Sequence, residues 1–127
     1  MSKGSAIQPG SVVWAVVPDR NGQNSKERPL LVIPPAPNGP GAMLCCLAIS
    51  TEPGDDPADP AIEMPWNAED GDTTGLYQWC RAVLLWHMLI DPSQVTDHSG
   101  RVTRKVLDDV LAAREVALAF PVKPRRK

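Results

Sequence analysis

The chain predicts a β-dominated α+β domain of about five antiparallel strands with a C-terminal helix. Three observations carry this. Short apolar, β-branched runs recur along residues 11–90. The 14 prolines cluster at 34–40 and 53–65, which favours ordered loops between short strands over a helical bundle. Only near the C-terminus does the apolar spacing switch to a helical period. A length of 127 residues, 43% hydrophobic, suits one domain with one core. No internal repeat interrupts it.

Taken in order, residues 1–9 read as a flexible leader, residues 10–120 as the single domain and residues 121–127 as a basic tail. Gly10 opens the first strand, SVVWAVV, and Pro18-Asp19-Arg20-Asn21-Gly22 closes it with strong turn chemistry. A polar loop leads to the second strand, residues 28–33. Pro29 cannot donate to a ladder and belongs at a strand start or an edge. A Pro/Gly turn at 34–41 leads to the third strand, residues 43–49, which closes at Ser50-Thr51. An acidic loop covers 52–59, and residues 61–64 make a short fourth strand. Residues 65–76 are irregular, with Trp66 and Trp79 flanking the segment. Either Trp suits stacking on a base or filling a core or subunit seam.

Residues 79–90 are the longest strand. Cys80, Ala82, Leu84, Trp86, Met88 and Ile90 fall on one apolar face, and Arg81, Val83, Leu85, His87 and Leu89 on a mixed one suited to an interface or groove. Asp91-Pro92-Ser93 ends the strand and opens a single helical turn; Asp97 to Gly100 reads as another turn. Thr103 is placed to cap a helix whose apolar stripe is Val106, Leu107, Val110, Leu111, Ala117 and Leu118. That helix ends near Ala119 and covers an open end or face of the sheet. So many short strands bury best as a strongly bent sheet or partial barrel.

Composition narrows the functional classes. Net charge is −2, which gives no bulk electrostatic pull on nucleic acid. The middle is acidic (Asp55, Asp56, Asp59, Glu63, Glu69, Asp70, Asp72), and this cluster matches no cation-loop spacing. Lys123 to Lys127 is basic, as expected of a solubilising terminus. No apolar run is long enough to span a bilayer and no signal peptide is evident, so no membrane role and a cytoplasmic setting are expected. Cys45, Cys46 and Cys80 form no Cys-x-x-Cys and read as buried filler. His87 titrates in a useful range, but its apolar strand suits a packed or interface residue. His98 falls in an exposed turn. Arg81 and His87 lie about 20 Å apart along one strand, too far to share a phosphate.

Arg28 is the most informative residue. The second and third strands are joined by a turn centred near Asn38, so they pair as an antiparallel hairpin. Arg28 then falls opposite roughly residues 48 to 50. A guanidinium fork meets the hydroxyls of Ser50-Thr51 at one rim, where loop 18–27 also enters. Arg plus hydroxyl, with no metal ligand, suits a phosphodiester: the fork holds two phosphate oxygens and stabilises charge that grows on them. RNA brings its own nucleophile, the 2′-OH.

The pattern Gly10-Ser11-Val12-Val13-Trp14, a polar loop, Glu27-Arg28-Pro29 and Leu30-Leu31-Val32-Ile33 resembles the opening of the MazF/PemK toxin family. The likeness continues through Leu47-Ala48-Ile49-Ser50-Thr51, the long strand, Asp91-Pro92, Gly100 and the final helix, over roughly residues 10–118. It implies an SH3-like barrel, usually a homodimer, that cuts single-stranded RNA without metal or cofactor and is neutralised by a cognate antitoxin. It assigns catalysis to Arg28 and Ser50 with Thr51 adjacent; Lys26, Gln23, Asn24 and Arg81 complete the expected RNA-binding set. Two positions depart from the family. Its loop commonly carries a Glu followed by Gln; here it reads Gly22-Gln23-Asn24-Ser25-Lys26-Glu27, so the acid is missing or displaced to Glu27. Ser50 stands for the usual Thr. The acidic loop 52–59 borders the groove. A second reading stays open: the same barrel acting by protein contact alone, as the related gyrase-poisoning toxins do.

Overall fold

An apolar run rich in β-branched residues makes Ser11–Val17 the first strand, β1, of the computed structural model, which describes residues 7–19, 22–34, 42–51, 60–65, 74–76 and 78–119. The leader before residue 7, the loop at 52–59, Trp66 and the basic tail lie outside those residues. Next come β2 (Lys26–Ile33), β3 (Leu44–Ser50), β4 (Ala61–Glu63), β5 (Arg81–Ile90) and β6 (Val95–Arg101), then helix α1 (Arg104–Ala119). The six strands form one antiparallel sheet in the order β4-β5-β3-β2-β1-β6. The architecture is the β-dominated α+β class expected, with six strands in place of about five.

The added strand is β6. Its sequence, VTDHSGR, has no apolar run, and the turn expected at Asp97 to Gly100 is instead extended chain paired to β1. Pairing satisfies the outer backbone edge of β1, a tertiary demand that outweighs local turn chemistry. Register shifts interrupt that ladder twice, once at Ser99 and once at Thr96. The helical turn after Asp91 is present at Pro92–Gln94. The Asp91 carboxylate accepts from Ser93 N at 2.8 Å, and Gln94 Oε1 accepts from Asp91 N at 2.8 Å.

Both sheet faces are apolar. On one, Val12, Leu31, Ile33, Leu47 and Leu84 meet Leu107 and Val110 of α1. On the other, Val13, Ala15, Leu30, Val32, Cys46 and Ala48 are fully buried although no helix among the described residues covers them. Trp86, Met88 and Ile90 from β5 and Val95 from the opposite margin close over that face, so the sheet curls on itself.

The bend has a visible cause. Leu47 pairs with His87 but Ile49 with Ala82, so residues 83–86 stand opposite Ala48 alone. This bulge corrects the expected single apolar face of the long strand. Cys80, Ala82 and Leu84 go to the helix side, Trp86, Met88 and Ile90 to the other, and Val83 between them is buried too. Trp79 and Cys80 precede the strand and are not part of it.

Thr103 caps α1 as expected: Val106 N donates to its Oγ1 at 3.2 Å and Leu107 N to its carbonyl at 3.0 Å. The stripe departs from expectation in its second half. Leu107 and Val110 are buried, whereas Val116 and Leu118 are 60% and 48% exposed.

Leu31→Ala should cost roughly 2–5 kcal/mol, since a fully buried side chain between sheet and helix would leave a cavity; urea unfolding reads this directly.

Candidate functional site: a cleft between parting strands

Pairing of β2 with β3 runs from Ile33↔Cys45 to Leu30↔Ala48 and stops. Beyond it, β2 stays paired to β1 as far as Lys26, and β3 stays paired to β5 as far as Ser50↔Arg81. The two strands therefore part at one end of the sheet. The residue where the ladder fails is Pro29, which has no N–H to give. A cleft of ≈ 760 Å³ opens between the two arms. Lys26, Glu27, Arg28 and Pro29 line one side, Ile49, Ser50 and Thr51 the other, with Trp14, Trp86, Asp19 and Asn24 around them.

Continuing the β2–β3 register places Arg28 level with Ser50 and on the same face, where the apolar pairs give way to polar ones. Arg28 is half-buried and held by three contacts. Its Nε donates to the Val17 carbonyl at 3.3 Å, and an Nη donates to the Asn24 carbonyl at 3.2 Å. Its guanidinium lies over the Trp86 ring, 5.9 Å from the centroid. A guanidinium has five N–H donors; two are spent on these carbonyls, and three remain among the described residues for a ligand.

The entering loop is ordered by Asp19. Its carboxylate accepts from Gln23 N at 3.0 Å and from Asn24 Nδ2 at 3.2 Å. Asn24 takes φ 55°, a conformation Asn tolerates better than most residues. The loop thus delivers Asn24 and Lys26 to the cleft. Gln23 does not line it, and its backbone N–H serves Asp19 instead. Arg81 is the register partner of both Ser50 and Glu63, yet its side chain is not in the cleft wall.

Sequence reasoning missed several lining residues. Trp14 and Trp86 are invisible as site residues until the sheet curls. Trp14 Nε1 donates to Ser99 Oγ at 3.0 Å, Ser99 Oγ donates to the Thr74 carbonyl at 2.6 Å, and Thr74 Oγ1 donates to the Pro65 carbonyl at 2.9 Å. This chain ties 74–76 onto β6 and sets Leu76 in the cleft wall. Gly75 has φ +78°, and a Cβ there would stand 2.4 Å from Ser99 Cβ. Glu27, also in the wall, has its carboxylate held by Thr96 Oγ1 of β6.

Cys80 lines the cleft, but burial, aided by the charge of Glu63, pushes its thiol up to about 11, so it stays protonated and unreactive at neutral pH. Burial pushes Cys46 up to about 12, with Cys45 beside it. Both behave as the filler expected; Cys45 is half-buried. His87 lies outside the cleft. Arg114 Nε donates to His87 Nε2 at 2.8 Å, joining α1 to β5 and requiring a neutral ring. Burial, then the Arg114 charge, lowers its pKa. His98 is half-buried on β6, paired with Val13, rather than in an exposed turn. Among the described residues no three His, Cys, Asp or Glu come together as metal ligands, and no helix is long and apolar enough to cross a membrane.

An antiparallel sheet curled over its own core, with an arginine and two hydroxyl side chains lining a cleft at one end, defines a small β-dominated α+β domain. Residues 8–118 match the PemK-like, MazF-like toxins of type II toxin-antitoxin systems, and the chain belongs to that family. No curated protein matches it. Among solved structures, an endoribonuclease in complex with its cognate antitoxin, from Mycobacterial species, shares the fold with a TM-score of 0.60 at 17% identity, covering 93% of this chain and 100% of the other.

Two outcomes follow. Gly75→Ala should destabilise the fold by about 1–3 kcal/mol through strain and overlap, read by chemical denaturation. His87 has a folded-state pKa below its unfolded value, so its contribution is complete above about pH 6.5. It is lost as pH falls through the lower folded value. Thermal midpoints should therefore drop below about pH 6.5 in wild type, and less in His87→Gln.

Proposed function

We propose that this toxin is an endoribonuclease that cuts single-stranded mRNA in the cleft between β2 and β3, with no metal. The observation that carries the reading is the placement of Arg28 level with Ser50 on one face of a cleft that a strand of nucleic acid can enter. The substrate 2′-oxygen attacks the adjacent phosphorus. The bond from phosphorus to the 5′-oxygen breaks, leaving a 2′,3′-cyclic phosphate and a 5′-hydroxyl. The 2′ proton passes to an acceptor at the site and the departing oxygen takes one up. Arg28 stabilises charge on the phosphate oxygens, and removing one such contact costs on the order of 10²–10³ in rate. Ser50, with Thr51 beside it, supplies a hydroxyl hydrogen bond to the phosphate. Lys26 and Asn24 hold the flanking strand; Gln23 and Arg81 contribute only at the margins, since neither side chain lines the cleft.

The structural neighbour is an endoribonuclease bound to its cognate antitoxin; by that likeness an antitoxin segment occupies this cleft and neutralises the toxin in the cytoplasm. A homodimer is the assembly we favour. Leu89 is 64% exposed and Val116 60% exposed, on the two elements that His87 and Arg114 join.

One observation favours the second reading, a barrel acting by protein contact alone: the two carbonyls and the Trp86 ring already hold Arg28 as a structural residue would be held.

Purified protein incubated with long single-stranded RNA and EDTA, beside Arg28→Ala, separates them. Fragments with 5′-hydroxyl ends from wild type, falling at least about 100-fold in the variant, are the expected result. Intact RNA with folded wild type overturns the enzymatic reading and favours the second.

A further inference from the structure

The cleft holds two carboxylates beside two cations, an odd composition for a phosphate site. Asp19 is accounted for by the loop amides it orders. Glu27 is not. Its carboxylate takes one hydrogen bond among the described residues, from Thr96 Oγ1. That hydroxyl also lies 3.1 Å from the Trp14 carbonyl, but its single proton goes to the charged acceptor. An anchored carboxylate in a groove for polyanion costs affinity unless a ligand donor meets it.

The pairing of β1 and β2 says which donor. Trp14 is opposite Pro29 and Val16 opposite Glu27, so Trp14 and Glu27 share one face and Arg28 has the other. Trp14 is half-buried in the cleft wall, and its Nε1–H is already satisfied by Ser99, which fixes the ring without using its π face. A flat plate and a fixed acceptor on one side of the strand, with a guanidinium on the other, match the two ends of a nucleotide.

Resting on the RNA reading of the cleft, we propose that Trp14 and Glu27 form a nucleobase subsite that stacks the base and selects one with an exocyclic amino group. The amino group donates to Glu27 on the exposed Watson–Crick edge of an unpaired base. Uracil, with a carbonyl at the corresponding position, is repelled. The opposite-face placement argues against Glu27 as the acceptor of the 2′ proton, which lies beside the phosphate on Arg28.

The test uses non-cleavable 2′-O-methyl hexamers of cytosine and of uracil, titrated by fluorescence anisotropy against the full chain. Wild type should bind the cytosine hexamer roughly 10-fold tighter, the scale of one good base contact. Glu27→Gln, a near-isosteric change at an exposed position, should bring that ratio close to one. Trp14→Leu should weaken both hexamers alike, by about 5-fold or more. An unchanged ratio in Glu27→Gln overturns the assignment, as does cleavage of long RNA by a wild type that binds both hexamers equally. Loss of cleavage on every sequence in Glu27→Gln, with hexamer affinities unchanged, overturns it in favour of proton transfer. No affinity for either hexamer together with intact long RNA overturns the subsite and the RNA reading at once.

Discussion

Everything at the candidate site depends on where two strands stop pairing. β2 and β3 are bonded from Ile33 to Leu30 and then separate, each keeping its other neighbour. A proline at the point of failure ends the ladder without unfolding the strand, because β1 still holds β2 as far as Lys26. The parting turns a continuous sheet into a fork with rigid arms. Side chains from both faces then line one cleft, which Glu27 and Arg28 reach from opposite faces of β2. A slip of one residue in the β2–β3 register would carry Arg28 to the helix side and separate it from Ser50. The buried pairs Leu30–Ala48 and Val32–Cys46 are what forbid that slip.

The second constraint is curvature. Six strands with two apolar faces and one helix cannot bury both faces while flat. The bulge at residues 83–86 lets β5 change faces midway, so Trp86 closes over the core that lacks a helix. The same turn of the chain brings its ring under Arg28. Core closure and site assembly are thus one event, and a change that straightens β5 acts on both.

Much of this was legible in the sequence, and the limits have physical causes. β1 follows from an apolar, β-branched run, and the span of α1 from helical spacing and the Thr103 cap. The nearness of Arg28 to residue 50 follows from hairpin arithmetic, because antiparallel register propagates from a single turn. β6 did not announce itself, since VTDHSGR is extended only because β1 presents an unpaired edge. The bulge in β5 is equally silent: nothing in RAVLLWHMLI marks where alternation breaks, and the break decides which tryptophan reaches the cleft. Gln23 and Arg81 were expected at the RNA surface from their types and neighbourhood. The backbone N–H of Gln23 is taken up by Asp19, and neither Gln23 nor Arg81 lines the cleft although the Arg81 backbone is level with Ser50. Side-chain direction is a tertiary property that spacing alone does not carry.

The structural contacts of Arg28 are compatible with the catalytic role proposed for it. The carbonyls of Val17 and Asn24 hold the guanidinium at the cost of two of its donors, and the stack on Trp86 fixes its plane. Those contacts look structural, and they latch the loop that brings Asn24 and Lys26 to the cleft. They also remove the rotamer entropy that a free arginine loses on meeting a phosphate. In the proposed reaction, a fork already aimed, with three N–H groups left among the described residues, would stabilise developing charge without reorganising. The same anchoring recurs at Trp14 through Ser99 and at Glu27 through Thr96. Both of those anchors sit on β6, the strand whose sequence least suggests one. Beyond Val95, β6 adds little to the core and instead anchors Trp14 and Glu27 in the cleft wall, which accounts for its polar composition.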